Sequence, residues 1–259
     1  MFLIILFLIL IIFLFLYSGN NIIVVSKNNI ESKKIKKDLT IVQISDTHNK
    51  KFFKDNYYLL EKIKRESPDI IVHTGDFINT DEPLDNTMLL MKELVKIAPV
   101  YAVQGNHDCF NGRYKEIKET LSSIGVIFIE NKEIFLEDYN VKLIGFLNNP
   151  KKCIKYVDSL KFDKNKYNLC LIHKPENFSL MDCKDFDLFL CGHTHGGQWI
   201  IHFVGSLITS DKKLFPEKWY GEIELCKTKG FINRGLGGPQ FPPRINNYPE
   251  ISVYKFTGK

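Results

Sequence analysis

The sequence predicts an α/β fold of packed β-sheets and covering helices, preceded by an apolar N-terminal segment. Three observations lead to this prediction. Apolar runs typical of buried strands alternate with segments of helical periodicity between residues 39 and 104. Short apolar strands then follow one another between residues 126 and 256. Residues 1–16 carry no polar side chain.

Residues 1–17 are predicted to form an uncleaved transmembrane helix. At a rise of about 1.5 Å per residue the segment is slightly short for a hydrocarbon core of about 30 Å, but it lies within the range of spanning helices. A cleaved signal peptide is the alternative, although such a peptide normally begins with a basic region and no Lys or Arg precedes Lys27. Residues 18–38 are predicted to be a juxtamembrane tether with an edge strand, and residues 39–259 one compact domain.

The first half of this domain alternates strands with helices. The spacing of Tyr57, Leu60 and Ile63 predicts a helix over 57–66, and residues 84–97 have the same character. The strands predicted around these helices cover residues 39–45, 69–74 and 100–104. This order implies a parallel sheet, because each helix carries the chain back to the start of the next strand.

The second half of the domain is richer in strands. Short apolar segments predict strands at 126–130, 133–137, 141–146, 167–173, 186–192, 221–225, 230–234 and 250–256. No repeat or low-complexity segment interrupts them. Two sheets covered by helices would accommodate this number of strands.

The charge and cysteine patterns exclude several classes of protein. The formal net charge is +5, and five of the lysines lie between residues 27 and 37. Without that cluster the chain is close to neutral, so we expect no nucleic-acid-binding surface. The six cysteines have neither the spacing of a zinc finger nor that of a small disulfide-rich domain.

Polar clusters follow the carboxyl ends of five predicted strands. In chain order they contain Asp46 and His48, then Asp76, then Asn106, His107 and Asp108, then His173, and finally His193 and His195. Functional sites of α/β sheets form just beyond the carboxyl ends of strands. We therefore expect these side chains to meet in one site.

The residue types in these clusters favour a metal centre. His193 and His195 flank one threonine, and in an extended segment their side chains would point the same way. Imidazole is the commonest neutral metal ligand in proteins. The whole set holds too many ligands for one tetrahedral zinc and suits two divalent ions with mixed nitrogen and oxygen ligands. Two close cations need an anionic bridge, which a carboxylate can supply.

These clusters resemble the calcineurin-like metallophosphoesterase family, whose pattern is D-x-H, G-D, G-N-H-D/E, a single His and G-H-x-H. Here the blocks read Asp46-Thr47-His48, Gly75-Asp76, Gly105-Asn106-His107-Asp108, His173 and Gly192-His193-Thr194-His195. The resemblance spans residues 39–259 and implies a four-layer α/β/β/α sandwich with two mixed β-sheets. The closing segment resembles a membrane-anchored bacterial branch, which includes enzymes described as UDP-2,3-diacylglucosamine hydrolases.

The resemblance also implies a role for each residue. Asp46, His48 and His195 would hold one metal, Asn106, His173 and His193 the other, and Asp76 would bridge the two. His107, not itself a ligand, would lie near the scissile phosphate and bind substrate together with Asn106. On chemical grounds its ring could protonate the leaving alkoxide or bind a phosphate oxygen. Asp108 would either orient His107 or stabilise the turn through local backbone hydrogen bonds. Arg244 would meet a substrate phosphate or form a structural ion pair.

We therefore predict a metal-dependent phosphoric ester hydrolase with two divalent ions. Manganese, iron, zinc, cobalt and nickel all suit such ligands. Monoester, diester and pyrophosphate bonds are all compatible with the ligand set, and the anchor favours lipid-linked or membrane-proximal substrates. The alternative is a membrane-anchored scaffold that keeps the fold without catalysis, which a missing ligand would indicate. The sequence leaves the oligomeric state open.

The charges that flank the apolar segment predict the orientation of the domain. The positive-inside rule counts basic residues within about 15–20 positions of a span. The downstream flank carries Lys27, Lys33, Lys34, Lys36 and Lys37, and no basic residue lies upstream. This asymmetry predicts a cytoplasmic domain, although lysines can also hold anionic head groups on either face of a membrane.

Overall fold

The computed structural model describes residues 2–79, 82–181, 185–201, 205–208, 214, 216, 219–238 and 243–258. Two six-stranded β-sheets lie face to face, and helices cover the outer face of each sheet. The predicted four-layer α/β/β/α sandwich with two mixed sheets is therefore confirmed.

The predicted strands and helices are present in the predicted order, among further elements that were not predicted. The strands are β1 (Val24–Glu31), β2 (Leu39–Ile44), β3 (Ile70–His73), β4 (Val100–Ala102), β5 (Ile127–Phe128), β6 (Lys132–Leu136), β7 (Val141–Gly145), β8 (Tyr167–Leu171), β9 (Leu188–Cys191), β10 (Trp199–Ile201), β11 (Gly205–Ile208), β12 (Gly221–Leu225), β13 (Thr228–Ile232) and β14 (Glu250–Thr257). The helices are α1 (Phe2–Asn21), α2 (Tyr57–Arg65), α3 (Asp85–Ile97), α4 (Tyr114–Ser123), α5 (Pro150–Ser159) and α6 (Pro175–Ser179).

Most central strands of the two sheets are parallel. The first sheet has the order β1-β14-β2-β3-β4-β5, in which β2 to β5 run parallel and β14 runs antiparallel to β2. The second sheet has the order β12-β13-β9-β8-β7-β6, with antiparallel strands at both edges. Strands β10 and β11 form a separate antiparallel ribbon. Because neighbouring parallel strands end on the same side, the loops that follow them lie together.

Apolar side chains fill three layers of this sandwich. The layer between the sheets includes Ile41, Leu143, Leu169 and Tyr254. The layer under α2, α3 and α4 includes Leu59, Ile63, Leu94 and Leu121. The layer under α5 and α6 includes Cys153, Val157 and Phe178. Full burial of one large aliphatic or aromatic side chain contributes about 1.5–3 kcal/mol, so these layers hold the sheets in fixed relation.

Three helices among the described residues, α4, α5 and α6, were not predicted, and neither was the ribbon of β10 and β11. Helix α4 buries Ile117 and Leu121, and α5 buries Cys153 and Val157. Each pair has the i, i+4 spacing of a narrow helical stripe, but two apolar positions give little periodicity. The start of α5 carried a stronger signal, because Asn149 caps the helix by accepting from the backbone of Lys152 at 3.1 Å, just before a proline in the first turn.

The N-terminal segment combines a long apolar helix with a strand of the first sheet. Helix α1 has a mean hydropathy of 3.0 over an 18-residue window and is long and apolar enough to cross a membrane, although a signal sequence has the same character. The helix continues four residues beyond the predicted anchor, to Asn21. Residues 24–31, predicted to lie in a tether, pair along their whole length with β14. The chain is therefore bound to the domain within a few residues of the end of α1.

Candidate metal centre

The predicted ligands meet where the loops of the two sheets converge. The loops after β2, β3 and β4 of the first sheet carry Asp46, His48, Asp76 and Asn106. The loops after β8 and β9 of the second sheet carry His173, His193 and His195. Residues that lie far apart in the chain thus become neighbours because both sheets direct the carboxyl ends of their parallel strands to this side.

The first group of side chains consists of Asp46, His48, Asp76 and His195. Their ligand atoms all lie within 4.8 Å of one another. Nε2 of His48 lies 3.2 Å from Nε2 of His195, which lies 3.6 Å from Oδ1 of Asp46. Nε2 of His48 also lies 3.7 Å from Oδ2 of Asp76. Two carboxylates and two imidazoles therefore point at one small volume.

The second group consists of Asp76, His173 and His193, again with ligand atoms within 4.8 Å of one another. Nε2 of His173 lies 3.3 Å from Oδ2 of Asp76 and 3.0 Å from Oδ1 of Asn106. Asp76 is the member that both groups share. A carboxylate in that position can contact two cations at once, which is what a pair of closely spaced metals requires.

Hydrogen bonds hold several of these ligands in place. Nδ1 of His173 donates to the backbone carbonyl of Thr74 at 2.8 Å, which fixes the proton on that nitrogen and leaves Nε2 free to accept in the neutral ring. The hydroxyl of Ser45 donates to Oδ2 of Asp46 at 2.5 Å, and the backbone N–H of His193 lies 3.1 Å from both oxygens of that carboxylate.

The backbone at the ligands is strained. Positive φ angles occur at five of them, namely Asp46 (49°), His48 (46°), Asp76 (58°), His193 (73°) and His195 (51°). Residues other than glycine rarely adopt this conformation, and it persists at functional sites where the surrounding fold imposes it. The expected extended geometry of His193 and His195 was therefore wrong. The segment is a turn, in which the backbone N–H of Thr194 donates to the carbonyl of Gly192 at 2.9 Å.

This turn also separates the two histidines. His195 belongs to the first group and His193 to the second. Gly192 makes the close approach possible, because a Cβ there would lie 2.0 Å from Oγ of Ser45 and 2.3 Å from Oδ2 of Asp46. The glycine of the G-H-x-H block therefore lets the two sheets' loops pack against each other.

The protonation states of His48 and His195 suit a metal centre. Burial lowers the pKa of His48 to about 4 and holds that of His195 well below its usual value, so both rings are neutral at pH 7. At most one proton can lie between the facing Nε2 atoms of these two neutral rings. Within the described residues, Oδ2 of Asp76 has no hydrogen bond of good geometry. Divalent cations fit this set of lone pairs.

Asp76 and His173 are electrostatically paired. Burial is the largest influence and would raise the pKa of Asp76, but the charge and hydrogen bond of His173 together with the neighbouring His48 and His107 hold the pKa well below its usual range. Burial works against the charged form of His173, but the carboxylates of Asp76 and Asp46 and the carbonyl of Thr74 together raise the histidine's pKa to about 9. The raised pKa of His173 favours its protonated form beside the carboxylate of Asp76 when no metal is bound.

His107 lies at the edge of this centre. Its ring is half-buried and lies 4.9 Å, centroid to centroid, from the ring of His48. Its backbone N–H donates to Oδ1 of Asp76 at 2.8 Å. The side chain can therefore reach a ligand bound over the cluster, while the backbone helps to orient the shared carboxylate.

The contacts of Asp108 and Arg244 favour structural roles. Oδ2 of Asp108 accepts from the backbone N–H of Asp76 at 2.9 Å and of Gly105 at 2.8 Å, and Oδ1 accepts from Phe77 at 2.8 Å. These bonds match the alternative in which Asp108 stabilises the turn. Nη2 of Arg244 donates to three backbone carbonyls, those of Arg234, Gly235 and Gly237. Arg244 therefore fastens a loop and has no carboxylate partner among those contacts.

A cleft beside the metal ligands was not predicted from the sequence. It has a volume of about 730 Å³, and its lining includes Asn20, His48, Lys50, Asn79, Glu82 and Asn86. Burial lowers the pKa of Lys50 to about 7. The signal in the sequence was the polar run Thr47–Lys51 directly after Asp46, which continues the ligand loop into the cleft.

Comparisons of the sequence agree with this geometry. The profile of the calcineurin-like phosphoesterases matches residues 39–197, more than half of the chain. A metallophosphoesterase of Aquifex aeolicus is 30% identical over 91% of this chain and 92% of its own length. One from Campylobacter jejuni is 29% identical over 91% of this chain, which spans 63% of that protein's length. The phosphodiesterase YaeI of Escherichia coli is 29% identical over 74% of this chain and 72% of its own length.

A solved structure has the same fold. The crystal structure of TT1561 of Thermus thermophilus superposes with a TM-score of 0.50 and covers 77% of this chain and 91% of that one. The two sequences are 12% identical, so the likeness concerns the fold alone. It supports the sandwich architecture independently of the ligand pattern.

Proposed function

This chain belongs to the calcineurin-like phosphoesterase family and is a metal-dependent phosphoesterase, and we propose that it hydrolyses phosphodiesters at a membrane surface with two divalent cations. One observation carries the two-cation part of the proposal. Asp76 is shared by two groups of ligand atoms, each within 4.8 Å. All seven predicted ligands lie in or beside these groups, which disfavours a scaffold that has lost its chemistry.

The two ligand groups support a role for each residue. Asp46, His48 and His195 would hold one cation, Asn106, His173 and His193 would hold the other, and Asp76 would contact both. When bound, such a pair of cations supplies Lewis-acid activation of water and of the phosphoryl group. Binding requires His173 to lose the proton that Asp76 now stabilises, so metal uptake releases a proton.

His107 acts on the substrate rather than on the metals. Its half-buried ring faces the cluster beside His48, where it can donate a proton to the leaving oxygen or a hydrogen bond to a phosphate oxygen. Asn106 is close enough to contact the same phosphate, since its Oδ1 lies 3.0 Å from Nε2 of His173. Asp108 contributes by holding the turn that carries both residues, through its bonds to Asp76, Phe77 and Gly105.

Two observations favour a diester of membrane origin. A relative of similar length, YaeI, bears the name phosphodiesterase. The cleft beside the cluster is lined both by His48 and by Asn20 at the end of α1, so a substrate in the cleft lies beside the helix that would span the membrane. Substrates of this kind carry their phosphoester at the bilayer surface, within reach of the ligands.

Hydrolysis assays and elemental analysis of the full chain test this function together. The protein, purified in detergent, is expected to hold about two transition metals per chain and to cleave bis-p-nitrophenyl phosphate faster than p-nitrophenyl phosphate. The assay is repeated with manganese, iron, zinc, cobalt and nickel. Full activity with one metal per chain would contradict the two-cation assignment, and a preference for the monoester would contradict the assignment as a diesterase.

We propose further that the domain faces the cytoplasm, which the charges beside α1 support. The basic residues between 27 and 37 follow α1, and none precedes it. A Lys33→Cys variant places a thiol on an exposed position of this flank. A membrane-impermeant maleimide should label that thiol only after lysis, over the background of the unsubstituted chain. Extra labelling of intact cells would show that the domain faces outward.

A further inference from the structure

The end of α1 is fastened to the catalytic domain beside the cleft. The backbone N–H of Arg244 donates to Oδ1 of Asn20 at 3.1 Å, and Nδ2 of Asn20 lies 3.4 Å from the carbonyl of Arg244. The ammonium group of Lys50 donates to the backbone carbonyl of Asn20. Lys50 follows His48 by two residues. The helix end, the cleft and the metal ligands are therefore one connected unit.

The segment that follows Lys50 exposes three aromatic rings. Residues 51–58, here called the rim segment, are held by Phe52, whose side chain is buried. Phe53 is 64% exposed, Tyr57 54% and Tyr58 51%. The rings of Phe53 and Tyr58 stack at 6.2 Å, and those of Tyr57 and Tyr58 meet edge to face at 5.5 Å. A cluster of exposed aromatic side chains of this kind marks an interaction surface.

The position of the rim segment relative to α1 indicates its partner. Lys50 contacts the last turn of α1. Phe53 follows Lys50 by three positions, so its Cα lies at most about 11 Å from the Cα of Lys50. If α1 spans a bilayer, its last turn lies at the head-group level. Aromatic side chains concentrate at this level in membrane proteins, where an apolar body and a polar tip are both accommodated.

The charge of the rim segment is also suited to a bilayer. Lys51 and Lys54 are exposed, and the ammonium group of Lys54 lies 5.8 Å from the ring centre of Phe53. Lys51 pairs with Asp55, the acidic residue of the segment. A lysine beside an exposed aromatic ring can bind an anionic head group while the ring enters the interface.

The other lysine cluster lies at the opposite end of the domain. Strand β1 starts beside the end of α1, and its eight residues carry the chain roughly 25 Å away before Lys33. Tyr139 lies at that end, since its carbonyl accepts from the backbone N–H of Lys36. The lysines between 33 and 37 are therefore remote from the head groups around α1, and the basic groups near the bilayer belong to the rim segment.

We propose that the rim segment is a membrane-contact surface, which rests on anionic lipid head groups and turns the mouth of the cleft towards the bilayer. The reading of the cleft as the substrate's entrance rests on the proposed function, whereas the contact with lipid does not. The helix and the rim segment are then two attachments on one side of the cleft, so the domain is oriented as well as anchored.

Fluorescence quenching by brominated lipids tests this contact in the full chain. The variant Phe53→Trp is reconstituted in nanodiscs containing phosphatidylcholine and phosphatidylglycerol, with bromine near the glycerol end of the acyl chains. The matched control is Phe135→Trp, on strand β6, where the side chain is 37% exposed. Phe135 pairs with Lys142 near the start of β7, the end of the sheet away from the metal ligands.

After subtraction of the signal of the unsubstituted chain, the added fluorescence of Phe53→Trp should be strongly quenched and that of Phe135→Trp should not. Equal quenching of the two variants would overturn the proposal. Tyr58→Trp provides the same measurement if Phe53→Trp does not fold. Discs of phosphatidylcholine alone should quench less, and equal quenching without phosphatidylglycerol would overturn the role of anionic head groups.

Hydrolysis of soluble bis-p-nitrophenyl phosphate separates this proposal from the proposed function. The variants Phe53→Ser and Tyr58→Ser are expected to cleave the soluble diester at the rate of the unsubstituted chain. Quenching without any hydrolysis would leave the membrane contact in place and overturn the proposed function. Hydrolysis without quenching would support the proposed function and overturn the membrane contact.

Discussion

Two buried polar regions lie next to each other in this protein, and they are built in opposite ways. In the first, between the sheets, Nε2 of Gln43 donates to Oγ1 of Thr74 and to the carbonyl of Cys191, both at 2.9 Å. Oε1 of Gln43 accepts from the hydroxyl of Tyr254 at 2.7 Å. This inter-sheet network satisfies the donors and acceptors of its glutamine. The second region, the metal centre, begins two or three residues further along the same strands.

The candidate metal centre instead places potential ligand atoms next to one another. Nε2 of His48 and Nε2 of His195 lie 3.2 Å apart, and five ligands have positive φ angles. The contrast indicates that the two regions have separate roles. The inter-sheet network stabilises the fold and fixes the strand ends, and the fixed strand ends hold strained ligands in position for cations. Substitutions in the inter-sheet network should therefore affect stability more than activity. Substitutions in the metal centre should affect activity more than stability.

The largest effect on activity is expected from Asp76→Asn. The carboxylate is common to both ligand groups, so loss of its charge should disturb both cations and abolish hydrolysis. The unfolding temperature without metal should fall slightly at neutral pH, because the amide no longer pairs with the protonated ring of His173, which then loses its proton. Bis-p-nitrophenyl phosphate hydrolysis, elemental analysis and thermal unfolding measure the three quantities. Activity above about one tenth at saturating metal would mean that Asp76 is not the bridge.

His107→Ala should reduce the rate while both metals stay bound. A general acid or a phosphate-binding group contributes about 10²–10⁴-fold. The ring lies beside His48 without belonging to either ligand group, so the metal content should equal that of the unsubstituted chain. A smaller loss for diesters with good leaving groups would identify proton donation. Equal losses for good and poor leaving groups would identify phosphate binding instead.

The sequence predicted which side chains meet at the candidate metal centre better than it predicted their geometry. Apolar runs located β2, β3, β8 and β9 within two residues at each end, because continuous burial on both faces leaves a plain signal. The i, i+2 spacing of His193 and His195 suggested an extended segment, whereas the chain turns there with positive φ at both histidines. Such strain is imposed by contacts between the two sheets, which no local pattern in the sequence records.

The rim segment and the inter-sheet network were likewise beyond prediction from the sequence. Lys50 matters because its side chain reaches Asn20, which lies 30 positions away in the chain. Gln43 and Tyr254 are partners across 211 positions. Their residue types give no signal in their own segments, since a glutamine in a buried strand and a tyrosine in an apolar one are explained only by the pairing of β2 with β14.

Tyr254→Phe should lower stability and leave the metals in place. The variant removes the hydroxyl donor and leaves Oε1 of Gln43 buried without a partner, which costs about 1–3 kcal/mol of the free energy of unfolding. Denaturant unfolding measures this loss, and elemental analysis should still find the same metal content. A loss of metal with unchanged stability would contradict the division between the two regions.

The smallest effect is expected at Thr74, the residue that both regions share. Its hydroxyl accepts from Gln43 in the inter-sheet network, and its backbone carbonyl accepts from Nδ1 of His173 in the metal centre. Thr74→Val replaces the hydroxyl by a methyl group of similar size and keeps the carbonyl. Because Nε2 of Gln43 retains the carbonyl of Cys191 as a partner, the variant should lose only about 0.5–1.5 kcal/mol of the free energy of unfolding. His173 keeps its orientation through the backbone, so the rate of diester hydrolysis should stay close to that of the unsubstituted chain.

Thr74→Ser, which keeps the hydroxyl, is the matched control for the network. A large fall in rate for Thr74→Val with little change for Thr74→Ser would mean that the inter-sheet network acts directly on the residues of the metal centre. The two regions would then not have separate roles.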